Sequence, residues 1–424
     1  MASAHSIDVY FADQRVGQLS LVDGRLTFCY SVDWLAQSRP LALSHSLPLR
    51  SESFDDHHCR PFFAGLLPEG NLRQLIAKQC QVSNKNDFAL LNAIGGECAG
   101  AITFVPAGQS VTDLERGGVE WLDELQLVDL LHELPRRPML AGRDGIRLSL
   151  AGAQDKLPVV FDGQRIGLPK GAQPSTHILK PTISAVEDSV LNEGYCMALA
   201  HAMGLPTAKA MVLPVRDHRI LLVTRYDRHI GGDGKYVRLH QEDFCQALGV
   251  VPEMKYQNEG GPDLKSCFDL LREATRPSAP QVLRLLDAVV FNALIGNHDA
   301  HAKNFSLVYG DDAPVLAPLY DVLSTAVYET LTPKMAMKLG SKYKYAEVHS
   351  RHWEQFMEDA GLSKAQTKKR IRDLAHSLPS VARQVGASPP FTGEPIVARI
   401  INLIDQRSQV TIQRLLENSD EAEK

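Results

Sequence analysis

Apolar and polar positions alternate near the start of the chain, in Ile7-Asp8-Val9-Tyr10-Phe11, then Val16-Gly17-Gln18-Leu19, then Leu26-Thr27-Phe28-Cys29-Tyr30. Successive strand side chains face opposite ways, so this period predicts three strands, with Asp23-Gly24 as the hairpin turn joining the last two. From Pro61 to Leu91 the apolar spacing becomes helical, and Asn71 is the expected cap of a helix carrying Leu72, Leu75 and Ile76. Phe88 to Val105 comes nearest to a membrane span, but Asn92, Gly95, Gly96 and Glu97 interrupt it. It reads as a buried helix, a glycine turn and a strand at Ile102–Pro106. Pro135-Arg136-Arg137-Pro138 is then the expected linker that closes a small α+β subdomain over residues 1–138.

The strand period returns in Ile146–Leu150 and Leu157–Phe161, which flank the loop Ala151-Gly152-Ala153-Gln154-Asp155-Lys156. Thr176–Pro181 is another expected strand, Asn192–Met203 a helix stopped by Gly204, and Met211–Pro214 with Ile220–Thr224 a hairpin. Beyond Gln241 the pattern is mainly helical, and Val282–Ile295 is apolar on nearly every face, as a buried central helix should be. The expected fold class is α+β, with the two lobes of a protein kinase: strands and one long helix over 139–239, a helical lobe over 240–424. Asn418–Lys424 is expected to fray.

The 424 residues exceed the usual size of one hydrophobic core, and the composition (44% hydrophobic, 22% charged) is that of a globular protein. A formal net charge of −5 gives no bulk attraction to nucleic acid or anionic membrane. Seven scattered cysteines without a Cys-x-x-Cys pair read as free thiols in a reducing compartment. Residues 1–8 lack the basic and apolar regions of a secretory signal, so a cytoplasmic location with no membrane partner is expected.

The candidate chemistry lies in Gly296-Asn297-His298-Asp299-Ala300-His301-Ala302-Lys303-Asn304-Phe305, directly after the apolar helix. Asp299 and Asn304 stand five positions apart in a polar turn, and Asp321 follows in Leu319-Tyr320-Asp321-Val322-Leu323. Phosphoryl transfer asks for this set: one Asp to orient and deprotonate an acceptor hydroxyl, and an Asn and a second Asp to hold magnesium on ATP. Upstream, Lys180 ends a strand and Glu193 lies on the next helix, the order of a lysine on the ATP phosphates and its supporting glutamate. The loop Ala151, Gly152, Ala153 and Gln154 is positioned to lay N–H groups on phosphates, although its single glycine also suits a plain turn. The main chain of Thr224 and Tyr226 would face adenine and Asp227 the ribose, where a charged loop after a strand is nearly as good a reading. His301 and Lys303 add positive charge near the transferring phosphate. His298 with His301 is a poor zinc signature, as is Asp55-Asp56-His57-His58-Cys59. Lys364, Lys368 and Arg372 share one helical face and form the best candidate patch for DNA phosphates, although most such runs are solvated helix faces.

Taken in order, Leu66-Leu67-Pro68-Glu69-Gly70, Ser149–Lys156, Thr176–Pro181, Asn192-Glu193, Arg225–Arg228, His240–Ala247, Asn297–Phe305 and Tyr320–Ser324 resemble the HipA family of bacterial serine/threonine kinase toxins. The resemblance runs from about residue 5 to about residue 410. It implies Asp299 as catalytic base, Asn304 and Asp321 as Mg2+ ligands, Lys180 on ATP, and Ser149 as a self-inactivating autophosphorylation site. It also implies a helix-turn-helix antitoxin of the HipB type, operator DNA reached through that complex, and a protein substrate, with an aminoacyl-tRNA synthetase such as the glutamyl enzyme suggested. A small-molecule or lipid kinase of the same fold and a non-catalytic corepressor are the alternatives.

Overall fold

A computed structural model describes residues 5–106, 117–143, 145–183, 185–232, 234–310 and 313–416; the expected fraying of Asn418–Lys424 lies outside them. The chain divides into two compact units. The first comprises Met1–Pro181, Leu213–Glu253 and Leu307–Asp312, the second Thr182–Val212, Met254–Ser306 and Ala313–Lys424.

In the first unit, strands β1 (His5–Phe11), β2 (Gln14–Val22) and β3 (Arg25–Tyr30) form an antiparallel sheet with β4 (Ile102–Pro106), in the order β3-β2-β1-β4. Alternation gives the result expected of it: Ile7, Val9, Leu19, Leu26, Phe28 and Tyr30 are buried. Asp23 and Gly24 both take positive φ (50° and 76°), as a tight hairpin with the right twist requires.

Helices α1 (Val32–Leu35), α2 (Asp56–Gly65), α3 (Gly70–Gln79) and α4 (Asp87–Ile94) cover the sheet. Asn71 caps none of them: α3 starts at Gly70 behind Glu69, so Asn71 lies inside its first turn. The side-chain cap sits earlier, where the Asp55 carboxylate accepts the His58 N–H at 3.1 Å. That bond also accounts for the Asp55–Cys59 cluster, and no group of three or more potential metal ligands occurs among the described residues.

A six-stranded sheet follows, in the order β5-β7-β6-β8-β10-β9, from β5 (Gly118–Trp121), β6 (Leu157–Phe161), β7 (Ile166–Lys170), β8 (His177–Pro181), β9 (Ala210–Val215) and β10 (His218–Thr224). Helix α5 (Glu124–Glu133) follows β5. Ile146–Leu150, expected as a strand, contributes only an isolated bridge from Leu148 to Glu97. Leu134, Met139 and Leu140 are buried on either side of the expected linker, whose Pro135 and Arg136 are exposed, and one continuous apolar core runs from Ile7 to Leu222.

Glu242 lies fully buried in this unit, beside the Ser44 and Tyr309 hydroxyls and the His45 N–H, which donates at 2.9 Å. Burial pushes its carboxyl up to about 7 despite those donors. A carboxyl raised on folding stabilises the protein below its unfolded value, and the contribution is lost as pH rises through about 7. Urea midpoints of the wild type should therefore fall between pH 5 and 8 by more than those of Glu242→Gln; equal slopes would refute the assignment.

The second unit is helical. Its α6 (Ser189–Ala202) packs on helices Lys364–Gly386 and Pro395–Leu416, which explains why Thr182–Val212 belongs to this unit before the chain enters it again at Met254. The Tyr195 hydroxyl donates to the Ala382 carbonyl at 2.8 Å. Helix Ser278–Ile295 is long and apolar enough to cross a membrane, but 72% of it is buried inside the protein. It ends at Gly296, whose φ of +78° turns the chain into the polar run that follows.

Candidate active site

The second unit brings Asp299, Asn304 and Asp321 into one hydrogen-bonded loop system. Asn304 Nδ2 donates to Asp321 Oδ2 at 3.0 Å, and its Oδ1 accepts the His301 N–H at 3.0 Å. Asp321 holds φ at +57°, a left-handed conformation that non-glycine residues adopt at a cost and that clusters at functional sites. Asp299 N–H donates to Asn297 Oδ1 at 3.1 Å, and Asn297 Nδ2 donates to Asn292 Oδ1 at 2.9 Å, so the turn hangs from the end of the core helix.

Tyr256 adds a contact that the sequence did not suggest: its hydroxyl donates to Asp299 Oδ1 at 2.8 Å, and its ring meets His301 edge-on at 5.2 Å. The only local sign in the chain is the pair Gly260-Gly261 that ends its turn. A cleft of about 390 Å³ opens beside Asp299, with Tyr256, Glu259, Leu331 and Lys334 among its lining residues.

His298 faces inward. Its Nε2 accepts from Arg407 at 2.9 Å and its Nδ1 lies 3.2 Å from the Thr332 carbonyl. Burial and then the Arg407 guanidinium push it down to about 4, so it is a neutral brace for the loop, with both ring nitrogens engaged by protein groups. His301 and Lys303 are both buried beside Asn304 in the same turn.

Asn304 and Asp321 suit magnesium by donor chemistry: a carboxylate and a carboxamide are hard oxygen ligands, and Mg2+ usually takes one or two carboxylates plus substrate phosphates. An ion there would replace the Asn304–Asp321 hydrogen bond.

The first unit holds the other nucleotide-site candidates except Glu193. Lys180 lies on β8 opposite Leu221 and is buried; Glu193 is buried on α6 of the second unit. The loop Ala151–Gln154 is shaped by two neighbours. Lys156 Nζ donates to the Ala151 carbonyl at 2.6 Å, and Glu69 N–H donates to the Gly152 carbonyl at 3.0 Å. Gly152 has φ +108°, a backbone conformation that residues other than glycine rarely adopt, and the Lys156 Nζ lies where a Cβ would point. The Leu66–Gly70 motif thus acquires a role, since Pro68 also bridges Gly152. Ser149 is fully buried; its Oγ donates to the Leu66 carbonyl at 2.8 Å and its N–H to the Glu97 carbonyl at 2.9 Å.

Thr224 ends β10 opposite His177, and the Tyr226 hydroxyl bonds Gln241. Asp227 is placed otherwise than the ribose reading expects. Its carboxylate accepts from Arg225 at 2.9 and 2.7 Å and from the Gly100 N–H at 2.8 Å, with Arg228 2.9 Å away. Glu97 completes this buried network through Arg225, Arg228 and Arg238. Burial alone would raise the Glu97 carboxyl, but the guanidinium groups of Arg238, Arg228 and Arg225 hold it at about 2. Asp227 is therefore part of a structural ion-pair cluster.

On the basic face of helix Lys364–Gly386, Lys368 pairs with Glu354 at 2.5 Å and the exposed Lys364 lies 3.5 Å from Glu358, so carboxylates stand beside two of its three cations. DNA phosphates would have to displace them.

The chain is similar to known proteins along most of its length. Residues 7–105 match the HipA N-terminal domain and residues 148–382 the HipA-like C-terminal domain. The chain is 45% identical to the Sinorhizobium fredii protein Y4mE, over 89% of this chain and 91% of that one. It is 29% identical to the serine/threonine-protein kinase toxin HipA of Shewanella oneidensis, over 92% of each. A solved Shewanella oneidensis complex of HipA, HipB and operator DNA matches 98% of this chain and 99% of that one, with a TM-score of 0.87 and 26% identity. The chain belongs to the HipA family of serine/threonine-protein kinases.

Proposed function

We propose that this protein transfers the γ-phosphate of ATP to serine or threonine hydroxyls of a cellular protein, acting in the cytoplasm as the toxin of a toxin–antitoxin pair. The observation that carries the reading is the joining of Asp299, Asn304 and Asp321 in one loop system of the second unit. Asp299 orients the acceptor hydroxyl and takes its proton. Asn304 and Asp321 would hold magnesium, which when bound neutralises charge on the phosphates. Lys180 and the Ala151–Gln154 loop serve the nucleotide phosphates, His301 and Lys303 supply positive charge, and the main chain of Thr224 and Tyr226 serves adenine. The proposed partners are a HipB-like helix-turn-helix antitoxin, operator DNA through that antitoxin, and a protein acceptor, for which the resemblance suggests an aminoacyl-tRNA synthetase. Phosphoproteomics after induction tests this: serine or threonine sites should appear with the wild type and not with Asp299→Ala, and identical patterns would refute it.

Ser149 extends the reading to self-inactivation. A phosphate carries about −1.5 to −2 charges at neutral pH. A side chain with no exposure cannot accommodate that charge, so the loop must leave before modification and stay out afterwards. Phosphopeptide mapping should show Ser149 modified in the wild type and unmodified in Asp299→Asn; modification in the inactive variant alone would exclude self-transfer.

A further inference from the structure

We propose that Tyr256 is a positioning residue for phosphate transfer, its phenol holding the Asp299 carboxylate in the orientation presented to the adjoining cleft. The proposal rests on the kinase reading and adds to it the group that orients the base. Its geometry lies wholly within the second unit.

Tyr256 is itself held firmly. Its carbonyl accepts the N–H groups of Glu259 and Gly261, each at 3.0 Å. A Cβ on Gly261 would lie 2.0 Å from the Met254 carbonyl oxygen and 2.8 Å from that of Tyr256, so only glycine closes this turn. Gln257 Oε1 accepts the Lys338 N–H at 2.7 Å, and in the same strand Ala336 N–H donates to the His298 carbonyl at 2.7 Å. The strand Lys334–Leu339 therefore anchors both the Tyr256 turn and the residue preceding Asp299. The phenol–carboxylate bond closes a ring of hydrogen bonds, and its 2.8 Å length joins two fixed supports.

The chemistry needs such a support. In the transfer, the acceptor oxygen forms a bond to the γ-phosphorus while the bond from phosphorus to the ADP oxygen breaks, and the hydroxyl proton passes to Asp299. A carboxylate offers about four acceptor positions, and a single phenol O–H takes one of them. Fixing that oxygen removes rotation about the carboxylate bond before the acceptor arrives, and a misplacement of about 1 Å can cost about 10²-fold in rate. The phenol also favours the ionised form of the base, which is the form that accepts the proton.

The test uses the full chain as wild type, Tyr256→Phe and Tyr256→Ala, with radiolabelled ATP and casein as acceptor, self-phosphorylation measured alongside. Tyr256→Phe keeps the ring against His301 and deletes only the hydroxyl. Expected are an unchanged melting temperature and KM for ATP, a kcat lowered about tenfold, and an acidic limb of the pH–rate profile moved to higher pH. Tyr256→Ala should transfer no faster than Tyr256→Phe. A Tyr256→Phe protein with wild-type kcat and pH profile, with only Tyr256→Ala impaired, would reduce Tyr256 to ring packing and overturn the proposal. A raised kcat in Tyr256→Phe would overturn it too, since the phenol would then be competing with the acceptor. Absence of transfer by the wild type would instead remove the kinase reading beneath it.

Discussion

Asp299→Asn should lower phosphate transfer by about 10²–10⁴-fold, the usual contribution of a positioned general base. The substitution keeps the side chain's size and an oxygen able to accept from Tyr256, so the loop and the fold should survive. It removes the charge that takes the acceptor proton. ATP affinity should stay near the wild-type value, because the groups assigned to the nucleotide are others. Transfer from radiolabelled ATP and nucleotide titration on the same preparations separate the two effects. Comparable rates in wild type and variant would show that Asp299 is not the base.

Arg225→Met should destabilise the first unit by about 3–5 kcal/mol, the usual cost of removing one partner from a buried ion pair. Arg225 donates to Asp227 twice, to Glu97 at 3.1 Å, to Ser175 Oγ at 3.0 Å and to the Cys98 carbonyl at 3.0 Å. Its loss leaves two buried carboxylates sharing the remaining guanidinium groups. The same network predicts acid sensitivity. The Glu97 carboxyl is depressed in the fold, so its stabilisation is present above the ordinary carboxylate range and is lost as pH falls towards about 2. Denaturant midpoints at neutral pH check the first statement, and wild-type midpoints between pH 5 and 2 check the second. A midpoint unchanged by Arg225→Met would mean that the network is not holding the unit together.

Both predictions show how far the sequence alone could reach. Local period decided what it usually decides: the alternation in β1 to β3 became a sheet, and the all-round apolarity of Val282–Ile295 became most of the core helix Ser278–Ile295. The polar turn after that helix could be read because its residues are close in sequence and its chemistry is demanding. Strand β7 escaped notice because Gly167 and Pro169 disguise it, and Ile146–Leu150 failed as a strand because it pairs at a single bridge.

Contacts made across long sequence distances left little local signal. Tyr256 and Asp299 are 43 residues apart, and Arg225 reaches Glu97 across 128. Gly100, 127 residues from Asp227, joins Arg225 and Arg228 in placing that carboxylate in the buried frame rather than free for a ribose. Lys368 similarly changed meaning once Glu354 was seen beside it.

The central claim is that Asn304 and Asp321 form the metal end of an ATP site with Asp299 beside it. A crystal structure with magnesium and an unreactive ATP analogue tests it most directly. The account predicts the ion on the Asp321 carboxylate and the Asn304 carboxamide oxygen, with the Asn304–Asp321 hydrogen bond broken and the terminal phosphate towards Asp299. Nucleotide and ion bound elsewhere, with that 3.0 Å bond intact, would contradict it.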